Sequence, residues 1–229
     1  MYKKILISGA HGSACSLIKS MMTEVISIDA QAGTCHQSWT ATTTTNKDKV
    51  MWNHCYRRDI IEKNWNPNII IYIKINLKDI VQICRRVVIL DFIYTQDPSW
   101  IQKDWCWTNG KHDRLAGPDW PPYSTNIYDY PQFCLDEMTQ VAYERIRPWL
   151  IDRIDFDYVL DTAEFFGESE PLTLQHCFNE LGCKLDMNFI KTWREINNNI
   201  YTKYADLFSW TLDYVPPDGW VSAEETGYG

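Results

Sequence analysis

The segment best suited to chemistry by residue type and spacing is Gly9-Ala10-His11-Gly12-Ser13-Ala14-Cys15-Ser16. It follows an apolar run, Ile5-Leu6-Ile7, and leads into Leu17, Ile18, Met21 and Met22, which are spaced for one face of a helix. A loop between a strand and a helix brings backbone N–H groups and a helix N-terminus together, a cradle for phosphate or sulfate. Small residues let the anion approach the backbone, and all but His11 here are small. Nucleotide triphosphatases carry Gly, four residues, then Gly-Lys-Ser/Thr. In this chain Ala14 stands at the second Gly and Cys15 at the Lys; of those last three positions only Ser16 fits. The lysine that meets the outer phosphates is missing, which disfavours an ordinary ATP or GTP hydrolase. The other reading of the same residues is a structural turn.

The elements that must position this loop alternate in type. Residues 2–8, 25–28, 49–55, 69–75 and 158–160 read as strands, the clearest being Ile-Ile-Ile-Tyr-Ile-Lys-Ile at 69–75. Residues 14–22, 57–64, 77–94, 132–152, 172–181 and 187–207 read as helices, with Gly182 as a C-terminal stop. Residues 31–48, with four consecutive threonines at 42–45, read as a long loop. Residues 96–131 form a loop-rich insertion holding Trp100, Trp105, Trp107, Trp120, Tyr123, Tyr128 and Tyr130. Alternating strands and helices predict an α/β protein with a parallel sheet of about five strands and helices on both faces. Ligands of such sheets sit at the carboxyl ends of the strands. The expected organisation is one domain over 1–215 and a loose Pro/Gly-rich tail over 216–229.

Composition narrows the function classes. The chain has 229 residues, 45% hydrophobic and 23% charged, which is globular composition. A net charge of −8 argues against general nucleic-acid or anionic-membrane binding. No apolar run approaches the length of a membrane span, and Gly9 to Ser13 interrupt the opening apolar stretch before it resembles a signal peptide. The expectation is a soluble, cytoplasmic protein. The eight cysteines are scattered without a CxxC pair, which argues for reduced thiols near the core and against a zinc site.

The loop and two later segments resemble the sulfotransferase family, whose P-loop-like fold binds 3′-phosphoadenosine 5′-phosphosulfate. The family cradle runs Pro, Lys or Arg, Ser, Gly, Thr, Thr; those positions fall on His11, Gly12, Ser13, Ala14, Cys15 and Ser16, so Gly12 replaces the basic residue. The family then has an apolar strand, Arg-Asn-Pro-Arg/Lys-Asp, and an apolar helix bearing a Ser. Asn76, Lys78 and Asp79 match, whereas Ile75, Leu77 and Ile83 stand at the Arg, Pro and Ser. His54, seventeen residues before Ile71, falls where many members carry a general base. Tyr158 to Asp161, Phe165-Phe166 and the two closing helices complete a likeness over about residues 1–205, carried by order and spacing more than by identities.

The resemblance implies transfer of a sulfuryl group from that donor to a hydroxyl or amine. Gly9, His11, Gly12, Ser13, Ala14, Cys15 and Ser16 would hold the 5′-phosphosulfate. Lys74, Lys78 and Arg85 would lie toward the 3′-phosphate, in place of the missing Arg and Ser. His54 would take the acceptor's proton, and the aromatic insertion would shape the pocket of a small-molecule or sugar-like acceptor. No metal is required. Two other readings stay open: a P-loop kinase of a nucleotide or small metabolite, and a catalytically inactive binding module on the same fold. Lesser candidates are His112-Asp113-Arg114 as an anion contact, Cys15 as a reactive thiol at a helix N-terminus, and Asp29 as a metal ligand or base; a solvated loop, a packed thiol and a turn cap are their plain alternatives.

Overall fold

The structure, a computed structural model, describes residues 3–23, 40–41, 48–94, 120–122, 124–167 and 170–216. Its strands are β1 (Lys4–Gly9), β2 (Thr40–Ala41), β3 (Lys49–Asn53), β4 (Ile69–Lys74) and β5 (Tyr158–Asp161). Its helices are α1 (Cys15–Thr23), α2 (Arg58–Trp65), α3 (Ile80–Tyr94), α4 (Gln132–Ile146), α5 (Ala163–Phe166), α6 (Leu172–Leu181) and α7 (Met187–Tyr204). Contacts divide the chain into two compact units, one of residues 1–79 and 148–198, the other of residues 80–147 and 199–229.

The first unit holds the sheet, in the order β2-β3-β1-β4-β5. β1 lies between β3 and β4, and β4 pairs with β5; these four strands are parallel. β2 runs antiparallel to β3. Among the described residues the parallel part of the sheet therefore has four strands rather than about five. The expected strand at 25–28 lies outside the described residues. The extra edge instead comes from the stretch read as a loop, where Thr40 and Ala41 pair with Val50 and Lys49. Threonine is β-branched and suits an extended edge.

Parallel strands buried on both faces read as continuous apolar runs, and β1 and β4 show it. In register, Ile5 and Ile7 of β1, Val50 of β3, Ile71 and Ile73 of β4 and Leu160 of β5 share one face. That face buries against Leu17, Ile18, Met21 and Met22 of α1, Phe165 of α5, Leu174, Cys177, Phe178 and Leu181 of α6, and Ile190 and Trp193 of α7. On the opposite face Tyr72 is fully buried, stacked between Trp149 (5.2 Å between ring centroids) and Phe156 (4.8 Å). The Ile75 N–H donates to the Trp149 carbonyl at 2.9 Å, fixing that segment to the end of β4.

α6 ends as its sequence dictates. Gly182 is left-handed (φ 68°), and the N–H groups of Gly182 and Cys183 donate to the carbonyls of Asn179 and Phe178. The helices read over 132–152 and 187–207 are shorter than read: residues 147–150 and 205–207 tighten into 3-10 turns.

The second unit is helical. α3 packs against α4, and Tyr130 is buried edge-on against Phe92 (5.0 Å) and Trp120 (6.3 Å). The buried carboxylate of Asp136 on α4 accepts from the Ser209 and Trp210 N–H groups at 2.8 and 2.7 Å and from the Ser209 hydroxyl. Arg85 on α3 donates to the Trp210 carbonyl at 2.6 Å and to the Tyr201 hydroxyl at 3.4 Å. These bonds strap the segment after α7 onto the unit. Most of the aromatic insertion, and with it His112-Asp113-Arg114, lies outside the described residues, as does Asp29.

Candidate functional site

Strand order fixes where a ligand would meet the sheet. From β1 the chain leads to β3 on one side, whereas β4, on the other side of β1, leads outward to β5. Neighbouring strands whose connections diverge leave a crevice at their carboxyl ends, the binding position of open α/β sheets. The β1–β4 boundary is that point, and the turn from Ala10 to Ala14 sits on it.

Two left-handed residues shape the turn: Gly12 (φ 80°) and Ala14 (φ 70°). The Ser13 N–H closes onto the Ala10 carbonyl at 3.1 Å, which puts Gly12 at the third position of a four-residue turn, where positive φ favours glycine. Ala14 accepts the first helical bond of α1, from the Ile18 N–H at 3.2 Å. Its left-handed backbone falls at the position where the triphosphatase pattern has its second glycine, so here an L-residue carries a conformation costing roughly 1–2 kcal/mol. Alanine has no side-chain oxygen to cap α1, so the first N–H groups of that helix get no acceptor from it.

The turn is closed from beneath. Ser13 is fully buried, and its hydroxyl donates to the Ala10 carbonyl at 2.7 Å and lies 3.5 Å from the Cys15 Sγ. A Cβ on Gly9 would come within 2.5 Å of both the Ser13 Oγ and the Cys15 Sγ. Gly9 is thus a glycine because the turn folds back over it. Cys15 is buried, and desolvation pushes its thiol up to about 12, against weaker opposing hydrogen bonds. It is a packed thiol and not a reactive one: burial outweighs the helix N-terminus. Ser13 and Cys15 therefore build the turn with their side chains, and any contact they make with an anion is through backbone. His11, Gly12 and Ser16 are partly exposed.

His54 is brought to this turn from β3. Its Nδ1 lies 2.6 Å from the Gly9 carbonyl oxygen. A carbonyl only accepts, so Nδ1 carries the proton and Nε2 carries the lone pair. The His54 ring packs against Trp52 (4.9 Å) and lies 5.4 Å from the His11 ring. Burial lowers the His54 pKa below its ordinary value, while the bond to Gly9 opposes that shift. The imidazole is neutral near pH 7 and has one defined tautomer.

Two residues that the sequence did not single out hold His54 there. The Asn53 side chain accepts from the Cys55 N–H at 3.2 Å, a local turn that bends the chain just after β3. The Ser8 hydroxyl donates to the Cys55 carbonyl at 2.5 Å, tying that bend to β1. The available signal was a polar residue ending each of two apolar strands, Ser8 and Asn53.

The three expected cations stand apart from one another in their bonding. Lys74, at the end of β4, is ion-paired to Asp152 at 2.5 Å. Lys78 is exposed on the turn that follows. Arg85 belongs to the second unit, where its guanidinium binds Trp210 and Tyr201. Ile75 and Ile83, at the family's Arg and Ser positions, are fully buried core residues.

A polar network caps the ends of β4 and β5. Thr162 is fully buried; its Oγ1 accepts from the Asn76 N–H at 2.8 Å and donates to the Asp79 carboxylate at 2.9 Å. Asn76 also donates to Asp161 at 3.3 Å. Desolvation raises the Asp79 pKa, and the Thr162 hydrogen bond opposes it. Among the described residues no group of three or more His, Cys, Asp or Glu is arranged to hold a metal ion, and no helix is long and apolar enough to cross a membrane. No family model, no curated protein and no solved structure matches the chain.

Proposed function

We propose that this chain is a sulfotransferase-like enzyme that moves a sulfuryl group from 3′-phosphoadenosine 5′-phosphosulfate to a hydroxyl or amine acceptor. The observation that carries this reading is His54: a neutral imidazole on the carbonyl of Gly9, its Nε2 lone pair defined, beside a strand–turn–helix loop. A phosphate cradle alone serves many chemistries. A cradle with a base of fixed tautomer suits proton removal from an acceptor during group transfer.

In the proposed step the acceptor oxygen attacks sulfur while its proton passes to His54 Nε2. The new oxygen–sulfur bond forms as the bond from sulfur to the donor's 5′-phosphate oxygen breaks. The electron pair leaves with adenosine 3′,5′-bisphosphate. The backbone N–H groups of the turn and of the first residues of α1 offset the negative charge on the transferring group. With an amine acceptor the same base takes the proton released from nitrogen.

The buried Cys15 in place of a lysine supports this reading over the kinase, which needs a cation for the outer phosphates and a bound Mg²⁺. The inactive-module reading draws on Ile75 and Ile83, both consigned to the core. Substitution of His54 decides between them. His54→Ala is expected to lower transfer by about 10²–10⁴-fold, the usual span for losing a general base, with bisphosphate affinity near wild type. Equal loss of donor binding, or unchanged transfer, would remove the base from the mechanism.

A further inference from the structure

Lys74 is the cation at the carboxyl end of β4, the strand next to β1, and Gly9 pairs with Ile73 in the register. It therefore stands one residue beyond the level at which the turn leaves β1. Its ammonium is already occupied. Asp152 meets it at 2.5 Å, with the lysine side chain 25% exposed and the aspartate 79% exposed.

Asp152 belongs to the segment between the Trp149 anchor and β5. That segment is held by Trp149 and Phe156 on either side of Tyr72 and by Arg153, which donates to the Tyr56 carbonyl at 2.7 Å. Asp152 itself is largely solvated, and its partner is a flexible four-carbon amine. Exposed pairs of this kind hold weakly. A carboxylate on such a lysine is an internal anion that an incoming doubly charged group can displace.

We propose that Asp152 is a built-in competitor for the anion subsite at Lys74, so that donor binding requires Lys74 to exchange Asp152 for a phosphate group. This inference rests on the donor-site reading above, with the 3′-phosphate as the group that meets Lys74. The exchange weakens affinity for any ligand carrying that phosphate, and favours release of the bisphosphate product after transfer.

The test compares wild type, Asp152→Asn, Asp155→Asn and Lys74→Gln by calorimetric titration with adenosine 3′,5′-bisphosphate and with adenosine 5′-monophosphate. Asp155 lies in the same segment and pairs with Arg153 at 3.4 Å, so its variant makes the same change in net charge without freeing Lys74. Asp152→Asn is expected to tighten the bisphosphate about five- to tenfold, the size of one exposed pair plus one removed repulsion. Asp155→Asn and the monophosphate titrations are expected to change far less, and Lys74→Gln to weaken the bisphosphate alone. Wild-type binding that Asp152→Asn leaves unchanged, or that both aspartate variants tighten equally, overturns the competitor and leaves the donor site standing. Tightening of both nucleotides alike in Asp152→Asn overturns the assignment to the 3′-phosphate. No binding by any variant removes the donor site and the competitor together.

Discussion

At the scale of single residues, the role proposed for His54 depends on which nitrogen holds the proton. The Gly9 carbonyl fixes that choice, and Trp52 on the ring limits its rotation. Because burial lowers the His54 pKa, the folded protein binds a proton there less readily than the unfolded chain. Between the ordinary value of 6.5 and the lower folded value, the unfolded chain carries more protons, so stability falls as pH falls through that window. Transfer is expected to follow the same group: the acid limb of kcat/KM lies below pH 6.5 and disappears in His54→Ala. A pH profile of kcat/KM checks this, and an acid limb above 6.5 would assign the titration to another group. His54 was singled out in the sequence by the family resemblance, which placed it seventeen residues before Ile71. Ser8 and Asn53, which hold it, were not, because a lone serine or asparagine at a strand end has no distinguishing pattern until the strands are paired.

At the scale of the element, the turn between β1 and α1 combines two opposite constraints. Gly9 admits no side chain, since a Cβ would meet Ser13 and Cys15 at 2.5 Å. Gly9→Ala is therefore expected to shift the turn and destabilise the protein, with donor affinity lost alongside. Ala14 is the reverse, a side chain on a backbone that favours glycine. Ala14→Gly is expected to stabilise by about 0.5–1 kcal/mol, the left-handed strain relieved less the greater unfolded-state entropy of glycine. Denaturant midpoints of the two variants read both signs, and a destabilising Ala14→Gly would show that the Cβ packs for more than the strain costs. The loop was legible as small residues between a strand and a helix. That its serine and cysteine face inward was not, since each suits a ligand or a core equally well by type. The strap after α7 was likewise hidden, because its partner Asp136 lies seventy-odd residues away. Asp136→Ala removes a buried acceptor from three donors and is expected to cost about 3 kcal/mol. Faster amide exchange at Ser209 and Trp210 should accompany the loss, and unchanged exchange there would mean the strap is held by Trp210 packing instead.

At the scale of the whole molecule, the parallel α/β architecture was legible because β1 and β4 are continuous apolar runs and the helices between strands carry their own periodicity. Strand order was not, since nothing in one sequence says that β1 lies between β3 and β4. That order puts the turn at the point where the strand connections diverge and brings His54 to Gly9. Pairing also explains why β2 was not read: a two-residue antiparallel edge at Thr40–Ala41 is too short to stand out from a threonine-rich loop. The division into two units bears on the cations. Lys74 and Lys78 share a unit with the turn, whereas Arg85 is bonded within the other. The donor site proposed here accordingly relies on backbone N–H groups and Lys74 more than on a ring of arginines.

The central claim, a donor site at the turn of residues 9–16, is tested most directly by thermal unfolding of the full chain with adenosine 3′,5′-bisphosphate and, in parallel, with ATP and Mg²⁺. A ligand at about 100 times its dissociation constant adds about 2.7 kcal/mol, which for a chain of this size raises the midpoint by roughly 5–10 °C. That rise is expected with the bisphosphate and not with ATP and Mg²⁺. A rise with ATP and Mg²⁺ alone, or no rise with either, would contradict it.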